Sequence, residues 1–71
     1  MKPTHAELSH AHRKWEATQR EARGAWAAYY AAPAHWDPSQ RLCALNRATE
    51  AQSRAVRAQA KYSELKAKYN E

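Results

Sequence analysis

Proline placement constrains this chain more than any other feature. The prolines stand at residues 3, 33 and 38, so residues 4–32 and 39–71 run without one. Inside a helix, proline removes a donor and clashes with the preceding turn. Here it punctuates two long segments instead of interrupting them. Those segments are rich in Ala, Leu, Arg, Gln, Glu and Lys, all strong helix formers. Seventeen alanines stand against four Leu, one Val, one Gly, and no Ile or Phe. A β-sandwich or barrel needs β-branched strands and frequent glycine turns, so it is excluded. A Rossmann-like unit needs apolar strand runs and a glycine-rich loop, and is excluded too. An all-α fold remains.

The helix limits are written locally. Thr4 with Glu7 fits a capping box, in which the hydroxyl accepts from the third helical amide and the acid reaches back. The first helix should run from about 5 to 32, where Pro33 stops it. Asp37, Pro38 and Gln40 form a second N-terminal signature, and nothing breaks the following helix from about 38 to 69. Trp36, just before that cap, should pack back on the first turns. A turn at 33–37 joins the two, so residues 1–71 are expected to make a single antiparallel two-helix hairpin of coiled-coil type. In the rival arrangement, 33–38 stays extended and the helices exchange between chains. Glu16–Arg20, Glu50–Arg54 and Glu64–Lys68 are acid-before-base pairs at helical spacing, each contributing a few tenths of a kcal/mol.

On the first helix Leu8, Ala11, Trp15, Thr18, Ala22, Ala25, Tyr29 and Ala32 fall at three- and four-residue spacing, a heptad seam flanked by Trp26 and Tyr30. On the second the seam reads Leu45, Ala48, Gln52, Ala55, Gln59, Tyr62 and Tyr69, with Leu42, Thr49, Val56, Ala58 and Leu65 beside it. Gln52 and Gln59 either lie at the seam edge with their amides in water or fix register and partner choice. So many alanines let the helices approach closely. They also leave little apolar area to offset the entropy of ordering a chain this small. Small scaffolds usually rely on disulfides, metal or association. A homodimer forming a four-helix bundle, or a partner chain, is the expected completion.

Chemistry-bearing patterns are sparse. Cys43 is the lone cysteine and can form no internal disulfide, and neither a membrane-length apolar run nor a signal-peptide core is present. A cytoplasmic protein is the simplest expectation. His5, His10, His12 and His35 lack zinc-ligand spacing, so no metal or other cofactor is expected. Cys43 has no histidine near it in sequence, and no nucleophile–base–acid set can be assembled. No catalytic residue is assigned, and the protein is expected not to be an enzyme.

Two surfaces remain as candidates. Trp15, Trp26, Tyr29, Tyr30, Trp36, Leu45 and Tyr62 are the expected protein interface. The cluster of Trp26, Tyr29, Tyr30 and Trp36 is too large to bury at one end of a hairpin, and such aromatics are enriched at binding hot spots. Net charge is +5, with five bases against three acids in 1–33 and seven against three in 39–71. Arg47, Arg54, Lys61 and Lys68 recur every seven residues with Arg57 beside them, a ridge expected opposite the apolar seam. Glu50 and Glu64 interrupt it. The leading expectation is a protein-binding adaptor, co-chaperone or inhibitor of a larger assembly. The runner-up is an RNA- or DNA-binding helical bundle using the ridge on phosphates.

Overall fold

Thr4 sits in extended backbone, and its hydroxyl accepts from the Glu7 amide at 3.1 Å, opening helix α1, His5–Tyr30. The computed structural model describes residues 2–71. Among them the Glu7 carboxylate makes no return bond to the Thr4 amide, so this cap is one-sided. Helix α2, Pro38–Tyr69, starts more firmly. Asp37 accepts from the Gln40 amide at 2.9 Å, while the Gln40 side-chain oxygen accepts from the Asp37 amide at 3.0 Å.

Helix α1 ends two residues before the expected Ala32. Pro33 disfavours helical geometry at the residue before it. Ala31 still donates to the Ala27 carbonyl, but Ala32 reaches only Tyr29, at 3.3 Å. The connector then closes at once. The Trp36 amide donates to the Pro33 carbonyl at 3.1 Å, and the Arg41 guanidinium donates to the same oxygen at 3.3 Å. This turn sends α2 back along α1, so the helices pack within one chain and the exchanged arrangement is not adopted. At the other end the Lys2 ammonium donates to the Glu71 backbone oxygen.

The core is a line of methyl groups. Ala11 and Ala22 of α1 and Ala48, Ala51, Ala55 and Ala58 of α2 are its buried apolar residues. No large side chain among the described residues is fully buried. On α1 the expected seam holds, with Leu8, Trp15, Thr18, Ala25, Tyr29 and Ala32 half-buried around the two alanines. The Thr18 hydroxyl donates to the Lys14 and Trp15 carbonyls at 3.0 and 2.9 Å, which lets a polar residue occupy the seam.

On α2 the seam is rotated from the expected one. Ala51 and Ala58 lie in its centre, Gln52 and Gln59 are exposed, and Tyr69 is 40% exposed. The reason is steric: helices that meet on methyls close in until the smallest side chains occupy the contact line. The two glutamines therefore sit at the groove edge. Of the three acid–base pairs, Glu64–Lys68 forms at 3.1 Å and Glu16–Arg20 only at 3.9 Å. Glu50–Arg54 does not form among the described residues, a correction to the sequence reading; exposed pairs have little to gain once solvated. The outcome is a rod of 54 × 13 × 12 Å with a radius of gyration of 16.1 Å. A compact chain of this length would have about 11 Å.

Candidate functional site: two chemically distinct faces

A two-helix rod has two broad faces, each with a groove where the helices meet. Trp15, Gln19, Arg23 and Trp26 of α1 line one groove against Gln52, Val56 and Gln59 of α2, with Ala22 and Ala55 at its floor. Lys14 and Thr18 of α1 line another against Arg54, Arg57 and Lys61, with Ala11 and Ala58 at its floor. Aromatic and amide groups thus gather around the first groove and cations around the second.

The aromatic face carries two ring clusters. Near the start of α1, Trp15 stacks on Tyr62 with centroids 5.5 Å apart and planes at 21°. His12 packs against both, 5.8 Å from Trp15 and 5.1 Å from Tyr62, and its Nδ1 lies 2.8 Å from a Glu16 oxygen. The Lys66 ammonium sits 6.0 Å from the Tyr62 centroid. His12, which lacks zinc-ligand spacing in the sequence, joins this cluster as a packing ring. Its spacing of three from Trp15, on one helix face, was the available signal.

Near the connector, Trp26 stacks on Tyr30 at 5.9 Å and meets Tyr29 edge-on at 6.0 Å. Tyr30 is 79% exposed. Trp36 makes no ring pair with these three among the described residues. It lines a shallow hollow with Asp37, Gln40, Cys43 and Arg47 beside the first turns of α2. The expected four-ring cluster is therefore three rings plus a separate tryptophan. Leu45 is half-buried, while Leu42 and Val56 are 56% and 54% exposed. Val56 and Leu42 were placed beside the seam in the sequence and emerge as open apolar surface.

The basic ridge is not opposite the seam. Arg54, Arg57 and Lys61 border the interhelical groove, because the true seam runs through Ala51 and Ala58 and so lies closer to them. The ridge also divides. Arg47 lies near Trp36 at the start of α2, and Lys68 is engaged by Glu64. Lys14, which the ridge on α2 could not reveal, supplies the facing wall.

Among the described residues, no three His, Cys, Asp or Glu side chains lie close enough to share a metal ion. Cys43 is exposed. No described helix is long and apolar enough to cross a membrane. No family model, characterised protein or solved structure matches the chain.

Proposed function

We propose that this chain is a small non-enzymatic protein-binding hairpin, of the kind that serves as adaptor, co-chaperone or inhibitor of a larger assembly. It works by covering its aromatic face with another helical surface. The occupant we assign to that face is a second copy of the chain, giving a four-helix bundle with Trp15, Trp26 and Val56 inside. Tyr30, 79% exposed at the connector end, is then left to engage a further protein. The exposed lone thiol of Cys43 suits a reducing compartment such as the cytoplasm.

One observation carries this reading: the buried residues of the two helices are all alanine, while Trp15, Trp26 and Val56 line an open face. The accessible surface is 5500 Å². A monomer of this mass ordinarily exposes about 4500 Å². The excess is close to the roughly 800 Å² that each partner buries in a standard interface.

Sedimentation equilibrium from low micromolar to hundreds of micromolar protein tests the assignment. The wild type should be dimeric, and Val56→Asp should weaken association at least tenfold. Val56 is exposed in the single chain, so this change spares the hairpin. A wild type that stays monomeric and melts cooperatively overturns the proposal. So does a dimer indifferent to Val56→Asp.

A further inference from the structure

We propose that the cationic groove on the other face, walled by Lys14 on α1 and by Arg54, Arg57 and Lys61 on α2, binds the phosphodiester backbone of double-stranded nucleic acid without reading its sequence. The groove is separate from the face assigned to the second copy, and this inference does not rest on that assignment.

Convergence is the first support. Four cations from two helices surround a groove of about 370 Å³ floored by Ala11 and Ala58. Like charges held together repel one another, so an ordinary solvated surface intersperses acids among them. Here none of the four makes an ion pair within 4.0 Å among the described residues. Glu50 is close by on α2, beside Arg54 and Arg57, yet leaves both unpaired. Glu7 lies toward the other end, where the groove passes His10 and Leu65. Glu50 and Glu7 therefore flank the cationic stretch without direct ion contact to it.

Dimension and composition narrow the ligand. Arg54 and Lys61 are two helical turns apart, about 10 Å along the axis. That span sets cations at separated points along one line, as the regularly spaced phosphates of a backbone require. Beside the cations the lining is Ala11, Ala58 and Thr18, with no aromatic ring. Single-strand binders stack bases on aromatic platforms, and all the aromatic clusters of this chain lie elsewhere. A membrane-surface helix needs large apolar groups beside its bases, and this groove offers only Leu65 at one end. A duplex backbone, which asks for spaced cations and nothing else, fits best.

Fluorescence anisotropy with labelled mixed-sequence duplexes tests the inference, using separate DNA and RNA arms. Four phosphate contacts predict a salt slope near −3.6, a loss of about a hundredfold in affinity between 50 and 200 mM salt. At physiological salt the affinity should be in the range of about 10⁻⁴ to 10⁻⁶ M. Lys14→Ala should reduce the slope by about one. Arg54→Glu with Lys61→Glu should abolish binding, whereas Arg54→Lys with Arg57→Lys, which keeps the charge, should retain it. Arg23→Glu, on the aromatic face, should matter far less. Circular dichroism checks that each variant is helical, and the Lys pair keeps the test decisive should the double Glu variant unfold. Unchanged binding after Lys14→Ala overturns the groove assignment. So does binding to anionic vesicles, polyglutamate or single-stranded oligouridine as tight as to duplex. Unaltered sedimentation of the Arg54→Glu, Lys61→Glu protein would separate this groove from the self-association face.

Discussion

Ala48 has no exposed surface, and it meets the facing helix with a single methyl group. In most cores a larger apolar residue at such a point would add burial. Here the helices have already closed on one another, so extra carbon atoms must push them apart. Ala48→Leu should therefore destabilise the hairpin by about 1–3 kcal/mol, the usual cost of overpacking. Ala60→Leu, on the exposed side of the same helix, should change stability by no more than about 0.5 kcal/mol. Urea denaturation of both variants checks this, and equal midpoints would show that the alanine line is not close-packed. The same crowding explains why Gln52 and Gln59 are displaced to the groove edge although their heptad positions suggest the interior. A polar amide is longer than a methyl as well as more costly to bury, and the alanine beside it wins the contact line.

At the scale of the helix, the two N-termini differ in a way that stability should report. Asp37 and Gln40 satisfy one another's amides reciprocally, while Thr4 takes the Glu7 amide with no bond in return. Asp37→Ala should cost about 1 kcal/mol, at the middle of the range for a lost cap, and Thr4→Ala distinctly less. Thermal melts followed by far-UV circular dichroism measure both, and a larger loss for Thr4 would contradict the assigned hydrogen bonds. Caps and breaks of this kind are legible in the sequence because they depend on residues three or four apart. Thr4, Asp37, Pro33 and Pro38 each act on their own turn, and so the start of both helices could be placed from the chain alone. Rotation of α2 about its axis could not. Whether Ala51 or Gln52 faces α1 depends on the partner helix, and the error carried the basic ridge with it to the wrong side of the rod. Lys14 stayed hidden for the same reason: its meaning comes from Arg54 and Lys61, some forty residues away. The aromatic residues were recognisable by type, but only the turn at Pro33–Trp36 decides that Trp36 leaves its neighbours.

At the scale of the molecule, a rod walled by half-open apolar side chains should be stabilised by its own concentration. Each half of the proposed bundle leaves Val56 and Leu42 more than half exposed while it is alone. Association then links to folding, because a second copy binds the folded hairpin and not the unfolded chain. A tenfold rise in protein adds about 1.4 kcal/mol of effective stabilisation. For a dimer of this size that raises the melting midpoint by about 3–6 °C. Differential scanning calorimetry over two decades of concentration should show that rise for the wild type. For Val56→Asp it should show a lower midpoint with little dependence on concentration. The charge-reversed Arg54→Glu, Lys61→Glu protein should follow the wild type, since its altered groove stays outside the bundle. A flat wild-type midpoint would mean that the alanine line alone holds the hairpin, and that a second copy does not cover the aromatic face.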